Sequence, residues 1–375
     1  MLTYRNISAL VLFASITGCK KTSDTAFLST YATNASAAYA DSLAAGEALD
    51  AAITTFVADP SEDTLAAAKT AWLDSREPYL QTEVYRFYDG PIDNAETGPE
   101  GLLNAWPLDE AYIDYVEGTD EDDSIINDTS ITIDAETLES LNEAGGEANI
   151  ATGYHAIEFL LWGQDQSEDG PGDRPYTDYT DADNADRRGL YLTTVSSMLV
   201  GHLGDLNDAW VDGDDGNYRA EFVGLDRDEG LRRILTGMII LSGFETGGER
   251  LQTALDSGDQ EDEHSCFSDN THRDMIQDVQ GVSNVWNGSY GSLSGDSVKD
   301  VIAEDNADLA DTLTSQIETS LAAGNAMETP FDNAIALDND SGRESVSTLV
   351  SALREQESIL EDIFRALSLD VPEAE

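Results

Sequence analysis

The chain has 375 residues, 40% of them hydrophobic and 25% charged, which are globular values with room for one large domain or two. Acidic residues number 75 against 19 basic ones, for a formal net charge of −56. A surface of that sign repels phosphate backbones and anionic lipid and attracts cations, which excludes nucleic acid as a partner.

Reading from the N-terminus, Arg5 sits in a short polar head and an apolar run extends from Ile7 to Ile16. That run is too short to span a bilayer and reads as a signal-peptide core. The stretch Ile16-Thr17-Gly18-Cys19 resembles a bacterial lipobox, which implies lipidation of Cys19 as the first mature residue. Residues 1–18 then form the signal peptide and 19–30 a tether. Lys20 rather than Asp after the cysteine favours the outer membrane, facing the periplasm or the cell surface. Lipidation of Cys19 leaves Cys266 alone, which rules out a disulfide framework and a cysteine-rich zinc site.

Helical periodicity governs the rest. An alanine-rich helix over Ser36–Val57 stops at Pro60. Ser61 can cap a second helix running through Leu65, Trp72 and Tyr79 to Phe87, with a kink at Pro78. Gly118 to Asp134 reads as an exposed acidic loop. A helix over Asn149–Trp162 ends at Gly163, and a long loop covers Gly170–Asp186. Arg188–Trp210 is helical, and Asp226 with Glu229 opens a further helix carrying Leu231, Ile234, Leu235, Met238 and Ile239. Asp269–Thr271 can cap a helix presenting Met275, Val279, Val282 and Trp286. Two more apolar stripes follow, through Leu309 to Leu321 and through Val346 to Leu367. No strand-like alternation stands out, so the expected fold is all-α: a helical bundle or a pair of bundles.

Only four histidines exist, at 155, 202, 264 and 272. His155 and Glu158 are three apart, so on a helix both project from one face and can reach one cation. A hydrogen-bonded structural pair would have the same spacing, and Arg76 or Arg86 could neutralise Glu158 instead of a metal. Glu83 is the third candidate ligand; its alternative is an intrahelical pair with Arg86. His264 and His272 flank a polar loop, where they either join an accessory site or serve as caps. Cys266 reads as a small buried residue as readily as a ligand, and His202 reads as structural. The acidic turn around Asp212, Asp214 and Gly216 fails the spacing of a calcium loop.

The segment Gly153-Tyr154-His155-Ala156-Ile157-Glu158 is similar to the Gly-x-His-x-x-Glu signature of the imelysin family. The similarity continues through Arg76-Glu77-Pro78-Tyr79, Thr82-Glu83, Arg86-Phe87-Tyr88 and Pro171-Gly172-Asp173-Arg174-Pro175-Tyr176. The stretch from Gln260 to Asp274, which holds His264, Cys266 and His272, resembles a block of the iron-regulated imelysin-like proteins. The resemblance implies two helical-bundle lobes, here over 31–186 and 187–370, and an extracytoplasmic lipoprotein linked to iron uptake. It implies a divalent or ferric ion, iron foremost, or an iron-containing ligand, held by His155 and Glu158 with Glu83. Outer-membrane iron-uptake proteins are the partners it suggests. The family was first described as containing a peptidase, but zinc peptidase helices need a second histidine or glutamate where Ala156 and Phe159 stand. A non-catalytic adhesion or scaffold lipoprotein with a structural His–Glu pair remains the other alternative.

Overall fold

Pro60 and Ser61 punctuate the first helical turn of the fold as their chemistry dictates. In the computed structural model, which describes residues 24–118, 124–167 and 170–372, helix Ala26–Ala58 is followed by helix Glu62–Leu80. Ser61 accepts from the Thr64 amide while Thr64 returns a bond to the Ser61 amide, a reciprocal cap. These two helices pack along each other, and helix Ala185–Trp210 packs along the first. The short helix Gly153–Trp162 lies between Glu62–Leu80 and Ala185–Trp210. Cys19 and the apolar run before it lie outside the described residues.

The C-terminal half is built from helix Arg227–Ile239, capped by Asp226, and from Thr271–Asn287, Ala307–Asn325 and Asp340–Ala366. Arg227–Ile239 continues through a wide π-helical stretch, Ile240–Gln252, into Thr253–Ser257. A two-residue antiparallel ladder, Ser289–Tyr290 with Leu293–Ser294, is the strand pairing among the described residues. The fold is all-α. No described helix is long and apolar enough to cross a membrane.

Three segments differ from the expectation, the first being helix Ala26–Ala58, which begins inside the expected 19–30 tether and ahead of Ser36 because Phe27 and Leu28 are buried in the core. Helix Glu62–Leu80 ends before Phe87: a single tight turn over Glu83–Tyr85 follows, and Phe87 takes a positive φ of 72°. Pro78 lacks the amide that would continue the ladder, so the chain leaves the helix within one turn of it. The stretch before Asp134 is not simply exposed, since Ile125, Ile126 and Ile133 are buried. Arg187 holds it down by donating to the carbonyls of Ile125, Ile126, Asp128 and Ile131. One guanidinium with five donors satisfies carbonyls that no helix can serve.

Candidate metal centre

Helix Gly153–Trp162 is buried on every side, all ten of its residues included, and His155 and Glu158 form its one polar face. Its first residue must be glycine. Gly153 has φ +84°, and a Cβ there would lie 2.5 Å from the Leu103 carbonyl oxygen. The helix therefore starts in backbone contact with the segment that carries Asn104 and Trp106. Trp72 fixes its other side by donating from Nε1 to the Tyr154 carbonyl at 2.9 Å.

His155 Nδ1 and Glu158 Oε2 lie 2.8 Å apart, both side chains fully buried. Glu158 Oε1 accepts from the Ser268 amide at 3.0 Å and from its hydroxyl at 2.6 Å. Neither Arg76 nor Arg86 pairs with Glu158. Arg76 forms an ion pair with Asp274, and Arg86 pairs with Glu83 and Glu100. The second ring nitrogen of His155, Nε2, is buried with no hydrogen-bond partner. Against that ring lie Trp106, with centroids 5.0 Å away, and His264, at 4.8 Å and near-perpendicular.

Burial, with Arg76 as the next cause, pushes His155 well below the ordinary imidazole range. Burial pushes the Glu158 carboxyl up to about 8, against the pull of the Ser268 hydroxyl. At neutral pH the pair is therefore uncharged: the Glu158 carboxyl donates to Nδ1 and the imidazole keeps its proton on Nε2. Removing one proton makes Glu158 a carboxylate that accepts Nδ1–H and frees the Nε2 lone pair. A carboxylate behind a histidine in this way is the usual arrangement around a metal-bound imidazole.

His264 is buried, with Nε2 3.5 Å from Asn104 Nδ2. Together with Trp106 it lines a cleft of about 340 Å³ that also touches Arg86, Glu100, Glu245 and Arg250. Glu83 stands on the far side of this network. Its Oε2 accepts from Arg86 Nη1 and from Arg250 Nη2, both at 2.6 Å. Burial opposes ionisation there, but the two arginines, Arg86 foremost, hold the Glu83 carboxyl down to about 2. The ion pair with Arg86 that the spacing allowed is thus formed. No three-donor grouping joins Glu83 to His155 and Glu158; among the described residues that arrangement occurs at Asp165, Asp269 and Asp332.

Cys266 is buried and unpaired, and burial, then Glu158, pushes its thiol well up. It behaves as a small apolar residue. His272 is half-buried and turns its Nδ1 to the carbonyl of Asp269, 3.2 Å away, rather than to His155. Trp106, Ser268 and Arg250 belong to the centre and were not singled out from sequence. Ser268 lies inside the 260–274 block, so its neighbours carried a signal. Arg250 lies in the wide helical stretch, and only the scarcity of basic residues marks it.

A family model described as Imelysin matches residues 35–360. Iron-regulated protein A of Synechococcus elongatus (strain ATCC 33912 / PCC 7942 / FACHB-805) is 24% identical over 331 residues, covering 85% of this chain and 80% of that protein. Two crystal structures share the fold. One, from Parabacteroides distasonis ATCC 8503, is described as a candidate iron-regulated protein A precursor. It has a TM-score of 0.68 at 21% identity and covers 92% of this chain and 97% of that one. The other, an imelysin-like protein from Psychrobacter arcticum 273-4, has a TM-score of 0.62 at 13% identity and covers 94% and 99%.

Proposed function

The chain belongs to the imelysin family, and from that premise we propose that it is an extracytoplasmic lipoprotein of iron uptake that binds a metal ion through His155 Nε2. The observation that carries this reading is the fully buried, unpartnered His155 Nε2 beside the His264 ring. A buried imidazole nitrogen without a partner costs stability unless something binds it. Two imidazoles with surrounding carboxylates suit iron, manganese or zinc. Iron is favoured by the names of the relatives, two of which are described as iron-regulated.

The role of Glu158 is refined by the geometry. Both of its oxygens are engaged, one with His155 and one with Ser268. In this reading Glu158 orients the imidazole behind His155 Nε2, and the lone pair left on Oε2 keeps it available as a further ligand. The adjoining cleft carries acids that attract a cation and two arginines that suit anionic donors arriving with it. The lipid anchor rests on the Ile16-Thr17-Gly18-Cys19 sequence.

Calorimetric titration of the metal-depleted chain with ferrous and zinc ions tests the site. One ion should bind per chain, and His155→Ala should abolish binding while the far-ultraviolet dichroism stays that of the wild type. Equal binding by wild type and His155→Ala would remove His155 from the site.

A further inference from the structure

A second constellation, separate from the imidazole centre, gathers where three distant segments meet. Asp165 follows the Gly153–Trp162 helix, Asp269 precedes helix Thr271–Asn287, and Asp332 lies in the short helix Phe331–Ile335. One carboxylate oxygen from each lies within 4.8 Å of the other two. All three side chains are buried, at 3%, 9% and 7% exposure. Glu263, fully buried, stands next to Asp332.

Buried carboxylates are ordinarily paired with a base or served by donors. These are not. Asp165 Oδ2, Asp269 Oδ1, both oxygens of Asp332 and both oxygens of Glu263 are buried without a hydrogen-bond partner. Among the described residues, no Arg or Lys lies within ion-pair distance of any of the four, although Arg250 and Arg76 serve the acids of the neighbouring centre. Burial and the adjacent Asp332 drive the Glu263 and Asp269 carboxyls up, Asp269 to about 8. So many buried oxygens without a counter-charge call for a cation or for shared protons.

We propose that Asp165, Asp269 and Asp332 bind a hard divalent cation of the calcium type, with Glu263 completing the negative wall behind Asp332. The donor set is all oxygen, with no imidazole or thiolate, which selects calcium or magnesium over iron or zinc. Calcium–oxygen distances of about 2.3–2.6 Å allow two ligands of one ion to stand up to about 5 Å apart, whereas octahedral magnesium at about 2.1 Å draws them closer. Three carboxylates converging on one point suit calcium, whereas magnesium is usually held by one or two carboxylates and several waters. Access is from an open groove of about 950 Å³ lined by Asp165, Gln260, Glu261, Asp332 and Asp338. The ion joins the loop after the signature helix to the loop that ends in Ser268 and Asp269, so it also braces the Ser268 donors that hold Glu158. This site does not depend on the function proposed for His155.

Thermal unfolding and calorimetry of the chelator-treated full chain, titrated with calcium to the millimolar range typical of extracellular sites, provide the test. One calcium should bind per chain, with a saturable rise in Tm that excess chelator reverses, and magnesium should bind at least about tenfold more weakly. Asp332→Asn and Asp165→Asn should each lose at least about tenfold in calcium affinity. Asp214→Asn, in an exposed acidic turn, and His155→Ala should keep it. A rise in Tm that does not saturate, or is the same for both ions and all variants, is diffuse charge screening and overturns the site. So does unchanged affinity in Asp332→Asn and Asp165→Asn. If neither variant folds, the wild-type stoichiometry decides: one tight calcium supports the site, and none overturns it.

Discussion

Arg76 and Asp274, 198 residues apart, close on each other in a buried bidentate pair: Nη2 to Oδ2 at 2.6 Å and Nε to Oδ1 at 3.3 Å. The remaining contacts of both residues lead into the candidate centre around His155. Arg76 Nη1 donates to Asn104 Oδ1 at 2.5 Å, and Asn104 reaches His264. Asp274 accepts from Ser265 and Asn270, which bracket the 265–270 loop carrying Ser268. The pair therefore joins the signature half of the molecule to the loop that serves it.

Arg76→Ala should destabilise the chain by about 3–5 kcal/mol, the usual cost of leaving one member of a buried ion pair unmatched. Urea unfolding measures it. Asp274→Asn in the Arg76→Met background should recover part of that loss, because the orphan charge is then gone. A loss under about 1 kcal/mol for Arg76→Ala would mean that water reaches the pair.

Gly153→Ala tests the backbone start of the signature helix. The positive φ and the contact with the Leu103 carbonyl both oppose a Cβ. Strain of this kind costs about 1–3 kcal/mol, and relief requires the helix to move off the Asn104–Trp106 segment. Tm should fall and metal affinity should fall with it. A stable variant with wild-type affinity would show that the contact is not needed.

Much of this was legible in the sequence. Apolar periodicity marks the long helices because each buries one stripe, and Ser61 and Asp226 cap where their side chains allow. The His155–Glu158 pair was visible from its spacing and from the family resemblance. Glu83 was not correctly placed on a helix, because the periodic pattern runs past Pro78 while the backbone ladder cannot. Trp106 and Arg250 escaped because their contacts to the centre are long-range. The acid cage was invisible for a different reason. In a chain with 75 acidic residues, Asp165, Asp269 and Asp332 look individually like any solvated carboxylate, and only folding shows that these three are buried together.

Cys19 should carry lipid. Mass spectrometry of the chain expressed in a bacterial host that processes lipoproteins should find a modified N-terminal Cys19 and no peptide from residues 1–18. Cleavage elsewhere, or an intact Met1, would remove the anchor from the proposed function.

Two substitutions at Glu158 separate its roles. Glutamine reproduces the protonated carboxyl, with its oxygen accepting from Ser268 and its amide donating to His155 Nδ1. Glu158→Gln should therefore keep stability within about 1 kcal/mol at pH 7, whereas Glu158→Ala strands the Ser268 donors and His155 and should cost about 1–3 kcal/mol. Metal affinity should drop about 10–100-fold in both, because neither side chain can become the carboxylate that accepts Nδ1–H. Full affinity in Glu158→Gln would show that the carboxylate does not support the metal-bound imidazole.

The same carboxyl fixes the sign of a pH dependence in the metal-free protein. Glu158 titrates near its ordinary value when unfolded and at about 8 when folded. Between those values the folded state binds the extra proton, so stability falls as pH rises. The contribution is fully present below about 4.5, the unfolded value, and is lost as pH passes through about 8. Asp165, raised by burial to about 6, and Asp269, raised to about 8, act in the same direction. Glu83, held at about 2, acts in the opposite direction, its contribution being lost as pH falls from about 4.5 towards 2 and the charge that pairs with Arg86 and Arg250 disappears. Chelator-treated wild type should therefore be more stable at pH 7 than at pH 9, an interval above the range in which unfolded histidines titrate, so the buried His155 and His264, which act in the opposite direction at lower pH, contribute no change there. Glu158→Gln, which cannot titrate, should show a shallower decline over that interval. Urea midpoints at both pH values for both proteins measure the difference, and identical declines would mean that Glu158 is already ionised below pH 7 in the folded chain.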